Sequence, residues 1–199
     1  MRHVLIPALL AALVSAAAAA QAADPAVAPV QALDAGLLAT MKAGARAGLS
    51  GRAAVIGPVV DRSFDIPLMT RLAIGPAWTG IAPADQGALV AAFRRLTVNG
   101  FARNFDGYAG QNFTIAPQVE TRAGDKLVRT TLNGPKGEPV QISYRLRQGA
   151  GGWRIIDVFY RNAISQLATR RSDFAAVLQG GGPKALVAHL DAMAAKGAG

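Results

Sequence analysis

Val140-Gln141-Ile142-Ser143-Tyr144-Arg145-Leu146-Arg147 places an apolar residue at every second position and a polar one between. Successive side chains of a strand point to opposite faces, so this alternation predicts a β-strand with one buried and one wetted side. The same period of two holds upstream. Val128, Thr130 and Leu132 alternate with Arg129 and Thr131, and Phe113, Ile115 and Val119 alternate with Thr114, Gln118 and Glu120. Downstream, Trp153 to Tyr160 is apolar on both sides except at Arg154 and Asp157, the pattern of a central or doubly covered strand. Turn residues separate these runs at Ala123-Gly124-Asp125, Asn133-Gly134-Pro135-Lys136-Gly137 and Gly149-Ala150-Gly151-Gly152. A meander of four antiparallel strands is the economical reading.

Around this block the period lengthens to that of a helix. The strongest helix is expected from about Pro83 to Phe105, with Leu89, Phe93, Leu96, Gly100, Phe101 and Phe105 on one stripe and Arg94, Arg95, Asn99 and Arg103 on much of the other side. Before it, helices are predicted over Leu33–Leu49, weakened by Gly44 and Gly48, then over Gly51–Val60, and over Pro67–Ile74, where Gly75-Pro76 stops the chain. Residues 24–32, with Pro25 and Pro29, look like a linker. After the strands, helices are predicted from about Asn162 to Leu178 and from Pro183 to about Ala195, divided by Gly180-Gly181-Gly182. The fold class that follows is α+β, a four-stranded antiparallel sheet with helices before and after it.

Composition removes much chemistry. The chain has 199 residues, 51% hydrophobic, a net charge of +9, no cysteine, and two histidines, His3 and His189. Disulfides, thiolate metal sites and thiol catalysis are excluded, and clustered histidine metal sites nearly so. No zinc finger, RNA-binding aromatic motif or dense basic run accompanies the positive charge, so no nucleic-acid partner is expected. Anionic lipid head groups or acidic proteins suit it better.

Met1-Arg2-His3 precedes an apolar block from Val4 to Leu13, and Ala20-Gln21-Ala22 supplies the small-x-small pattern cleaved by signal peptidase. Residues 1–22 therefore read as a secretory signal, leaving residues 23–199 as a single exported domain. Secretion without disulfides points to the periplasm.

Phe64-Asp65-Ile66-Pro67-Leu68-Met69-Thr70-Arg71-Leu72-Ala73-Ile74-Gly75-Pro76-Ala77-Trp78 resembles the FDxxxMxxLALGxxW signature of the MlaC family, also called toluene-tolerance auxiliary components. Tyr108-Ala109-Gly110, Tyr144-Arg145-Leu146 and Gly152-Trp153-Arg154-Ile155-Ile156-Asp157-Val158 resemble further blocks in the same order. The segment Ile164-Ser165-Gln166-Leu167-Ala168-Thr169-Arg170-Arg171-Ser172-Asp173-Phe174 is similar to the HpnM-like branch associated with hopanoid biosynthesis. The resemblance implies a periplasmic lipid carrier with no cofactor and no catalysis, its helices and sheet enclosing an apolar pocket. The implied cargo is a hopanoid or a phospholipid. The implied partners are an inner-membrane MCE-type or hopanoid transporter and an outer-membrane lipoprotein complex.

A pocket of that kind is expected to be walled by Phe113, Ile115, Val128, Leu132, Ile142 and Tyr144 of the sheet. Opposite them would lie Phe64, Leu68 and Leu72, with Leu89, Phe93 and Phe101 of the long helix. Arg161, Arg170 and Arg171 are candidates for a head group or partner, against the plainer reading of a solvated helix face with Asp173 pairing to Arg170. Arg171 falls on the Ile164, Leu167, Phe174, Leu178 stripe, where it must snorkel, pair or meet a ligand. Asp157 and the lone helical His189 are read as structural. Two rival functions remain: a non-enzymatic transporter adaptor that carries no lipid, and a triterpenoid hydrolase or isomerase.

Overall fold

The computed structural model describes residues 23–161 and 164–196; the expected signal segment lies outside them. Five helices cover one face of a six-stranded antiparallel sheet. The helices are α1 (Val27–Ala43), α2 (Gly48–Ser63), α3 (Ile66–Ile74), α4 (Pro83–Asn104) and α5 (Gln166–Lys196). The strands are β1 (Asn112–Ile115), β2 (Glu120–Arg122), β3 (Asp125–Asn133), β4 (Val140–Gly149), β5 (Gly152–Tyr160) and β6 (Ile164–Ser165). The main path runs β1-β3-β4-β5-β6, with β2 also paired to β3.

The alternation in β4 sets the layers. Ile142, Tyr144 and Leu146 are buried under the helices, together with Val128 of β3, which stands opposite Tyr144. The other face carries Arg129, Arg145 and Arg147, held by Glu120 and Asp125. The nearly buried Asp125 carboxylate accepts from Arg147 Nε at 2.7 Å and is paired with Arg145 as well, and these guanidinium groups hold its carboxyl below the usual range. In β5 the pairing jumps from Arg145–Asp157 to Leu146–Ile155, which leaves Ile156 as an extra residue. This bulge explains why β5 lacks a clean period, since Ile155 and Ile156 are both buried.

Six strands replace the four expected. The run from Phe113 to Glu120 is cut after Ile115 by Ala116-Pro117, and pairing resumes only at Glu120, so one predicted strand becomes β1 and β2. The short β6 pairs with the end of β5. The expected linker at 24–32 is also corrected, because α1 begins at Val27. Pro29 falls in the first turn, where backbone N–H groups need no partner inside the helix. Asp24 fixes this start by accepting from the Ala26 N–H at 2.9 Å and from Lys126 Nζ on β3. The predicted helix over 33–49 ends early, at Gly44, whose φ of 67° favours glycine.

Two clamps hold the helices together. Arg52 of α2 donates Nε to the Ala102 carbonyl at 2.6 Å and Nη1 to the Gly44 carbonyl at 2.9 Å, tying the ends of α4 and α1. Arg103 donates to the Ala194 and Ala195 carbonyls, and Arg95 pairs with Asp191, locking α4 to the end of α5. Within α5, Gly182 takes φ 70° and breaks the helix just before Pro183, where the glycine triplet predicted a division. The start predicted at Asn162 lies outside the described residues.

Candidate functional site

The residues that position the site begin with Phe64-Asp65. Phe64 is buried and forms an isolated bridge to Ile155, while the Asp65 N–H donates to the Ile155 carbonyl at 2.9 Å. The Asp65 carboxylate then accepts from the Leu68 N–H at 2.9 Å and caps α3. One dipeptide thus anchors the α2–α3 corner on the sheet and aims the Phe64 ring at Phe101, with centroids 5.7 Å apart.

Between this corner, the C-terminal half of α4, the start of α5 and the sheet lies a cavity of about 760 Å³. Its depth is lined by buried hydrocarbon and aromatic groups, among them Met41, Phe64, Met69, Phe93, Leu96 and Ile142. Polar and exposed residues gather at the mouth: Asn104, Gln111, Tyr160, Gln166 and Arg170. The opening therefore lies between the end of α4, the start of β1, the ends of β3 and β5, and the first turns of α5.

Six of the expected wall residues line this cavity: Phe64, Phe93, Phe101, Leu132, Ile142 and Tyr144. The others lie elsewhere. Leu68 and Leu72 are packed half-buried against the core, and α3 presents Met69 to the cavity instead, one residue and about 100° around the helix from Leu68. Leu89 is fully buried about one turn before the cavity-lining part of α4, which begins at Phe93, and Val128 of β3 is fully buried beneath the helices. Phe113 and Ile115 line a separate groove of about 370 Å³ under α1, because β1 is the edge strand beyond β3. Met41, Leu167 and Phe105 belong to the wall without having been anticipated. Met41 follows Leu33 and Leu37 at helical spacing, which marks it as inward-facing, but nothing local says which inward residues border empty space.

The three arginines separate. Arg170 lines the mouth, with Nη1 buried and without a hydrogen-bond partner, and desolvation pushes its guanidinium pKa down. Its expected partner Asp173 is engaged by His189 Nε2 at 2.7 Å. Arg171 donates to the Leu72 carbonyl at 2.8 Å, so it staples α5 to α3 rather than reaching the cavity. Arg161 is exposed and stacks over the Tyr160 ring, its charge 5.7 Å from the centroid. Asp157 accepts from the Val158 and Leu167 N–H groups and from Ser165 Oγ, fastening the start of α5 to β5. Among the described residues, no group of three or more acidic or histidine side chains could hold a metal ion, and no helix is long and apolar enough to cross a membrane.

Helices laid over one face of an antiparallel sheet, around a deep apolar hollow with a polar rim, define a carrier-like domain rather than a filled core. The MlaC protein family model matches residues 31–192, and the chain belongs to that family. Among solved structures it is similar to a phospholipid-binding protein from Ralstonia solanacearum, determined in complex with a phospholipid. The two share 27% identity and a TM-score of 0.72 over 87% of this chain and 98% of that one. A search of curated proteins gives no match.

Proposed function

We propose that this protein is a non-enzymatic periplasmic lipid carrier that hides the apolar part of a phospholipid in the cavity above β4 and delivers it to a membrane-bound transporter. The single observation that carries this reading is the hollow itself. At about 30 Å³ per group of water or methylene size, the cavity of about 760 Å³ has room for about 25 such groups, one long acyl chain and much of a second. An adaptor with a plugged pocket would not keep such a space, so the carrier reading is preferred to it. The phospholipid found in the Ralstonia solanacearum relative supports the cargo. The similarity of residues 164–174 to the hopanoid-associated branch makes a hopanoid the second candidate.

Magnitudes dictate how such a carrier releases its guest. Burying about 25 methylenes at about 0.8 kcal/mol each is worth about 20 kcal/mol gross. That is at the limit of about 18–21 kcal/mol for noncovalent affinity, so escape into water is too slow to be useful. Delivery requires docking to a partner with its own apolar channel, an MCE-type transporter at the inner membrane or a lipoprotein complex at the outer one. Transfer between two similar environments cancels most of the burial term. The head group stays at the mouth, where the unpartnered Arg170 Nη1 meets the phosphate. Arg161 and Arg171 lie on the outer surface and suit contact with a partner.

Native mass spectrometry of protein expressed with residues 1–22 and recovered from a lipid-containing host tests this reading. A bound mass matching an extractable phospholipid or hopanoid is expected. Repeated spectra of bare protein, from preparations that also fail to load when mixed with phospholipid vesicles, would refute it.

A further inference from the structure

Asp34 is the one acidic residue on the inward side of α1, and it is only 5% exposed. Both carboxylate oxygens are buried and neither has a hydrogen-bond partner. A carboxyl group in that position costs several kcal/mol relative to a paired one, and a helix whose only task is to pack would carry leucine there. The groove of about 370 Å³ between α1 and β1 has Asp34 on its wall, among Leu38, Phe113 and Ile115. On α1, Asp34, Leu38 and Met41 follow one another at helical spacing, and Met41 already belongs to the main cavity. On the sheet, Ile115 of the groove stands opposite Thr130, which in turn stands opposite Ile142 of the cavity, two residues deeper than Leu132 at the mouth. The groove therefore adjoins the inner end of the lipid cavity. There Tyr144, 1% exposed, lines the cavity wall and is within electrostatic reach of Asp34, with the Thr130 hydroxyl beside its phenol.

We infer that Asp34, with the Tyr144 and Thr130 hydroxyls, forms a polar subsite at the inner end of the cavity that accepts a hydrogen-bond donor, a hydroxyl or a primary ammonium, carried on the far end of the guest lipid. The inference rests on the carrier reading and narrows its cargo to lipids that are not purely hydrocarbon at the buried end. A plain alkyl terminus would leave the Asp34 oxygens as unpartnered as they are in the empty protein. A hydroxyl or ammonium would donate to a carboxylate in a dry setting, where such a bond is strongest.

The test compares hexadecanoic acid, 16-hydroxyhexadecanoic acid and 16-aminohexadecanoic acid by titration into delipidated protein, wild type and Asp34→Leu. These probes share a carboxylate for the mouth and differ only at the far end. An acidic acceptor predicts that the affinity of the hydroxy or amino acid relative to hexadecanoic acid falls about tenfold or more in Asp34→Leu, since a hydrogen bond to a charged group is worth about 1.5–3 kcal/mol. The amino arm falling alone assigns an ammonium, and the hydroxy arm falling assigns a hydroxyl. Asp34→Asn, which keeps an acceptor oxygen and the size of the side chain, is expected to retain part of the preference for the hydroxy acid. Unchanged ratios in Asp34→Leu, with hexadecanoic acid still bound, would overturn the subsite and leave the carrier intact. Failure of all three acids to bind wild-type protein that still loads phospholipid from vesicles would overturn the subsite alone, whereas failure of both would bring down the carrier reading with it.

Discussion

Replacing Asp34 with asparagine should stabilise the protein, and by an amount that grows with pH. Burial without a partner raises the Asp34 pKa from 3.8 to about 7. The folded state therefore binds a proton over the interval in which the unfolded chain has released it, and stability falls as pH rises from about 4 through about 7. The interval spans about three pH units, and each is worth about 1.36 kcal/mol, so the carboxyl removes about 4 kcal/mol by about pH 8. Near pH 5 the same linkage gives about 2 kcal/mol. The asparagine side chain has nearly the same shape and does not titrate. Urea denaturation of delipidated wild-type and Asp34→Asn protein should therefore show nearly equal stability near pH 3.5 and a gap of about 4 kcal/mol near pH 8. Depressed carboxyls such as Asp125 act in the opposite sense at acid pH, but they are common to both proteins and cancel in the difference. A gap that stays constant across this range would refute the argument, because it would mean that Asp34 ionises in the folded protein as it does in the unfolded chain.

Other expectations follow from the same geometry. Gly100 lines the cavity, and a Cβ there meets nothing within 4 Å, so Gly100→Leu should fill space without a clash. It should raise helix stability by up to about 1 kcal/mol while lowering lipid loading by native mass spectrometry; unchanged loading would count against the cavity as the site. Ile142→Trp should abolish loading in vesicle-mixing assays, whereas an adaptor that carries no lipid would keep its transporter docking and lose nothing. Arg170→Gln removes the guanidinium whose Nη1 is without a partner at the mouth and should weaken binding of phosphatidylglycerol vesicle lipid about tenfold with little loss of stability, and an unchanged affinity would remove Arg170 from the head-group site. Asp125→Asn should cost about 1–3 kcal/mol in thermal or chemical unfolding, since it releases Arg145 and Arg147 from one carboxylate. That cost should shrink on acidification, because the contribution of a carboxyl held low is lost as pH falls through its folded pKa.

Much of this architecture is written in local periodicity. The alternation of Val140–Arg147 and the long stripe of α4 both survive, since each buries a continuous apolar face, although Ser143 on the polar side of β4 is buried as well. The misreadings occur where a residue type has two uses. Pro29 reads as a breaker yet sits in the first turn of α1, and Pro117 ends pairing within what alternates like a single strand. The bulge at Ile156 erased the period of β5 altogether. For the site, sequence marks which residues face inward but not where inward-facing side chains fail to meet. Leu89 and Phe93, four residues apart on one stripe, differ only in that the second borders the hollow. Asp34 left a usable signal: an acid in helical register with Leu38 and Met41, four and seven residues on. It is the same kind of anomaly that singled out Arg171.

The claim on which the account turns is that hydrocarbon occupies the space between α4, α5 and β4. Diffraction from crystals of protein loaded with a phospholipid brominated along its acyl chains measures this directly, because bromine scatters anomalously. Bromine peaks enclosed by Phe64, Phe101, Ile142 and Leu167 are the predicted result. Peaks confined to the outer surface, with those four side chains packed against one another, would contradict it.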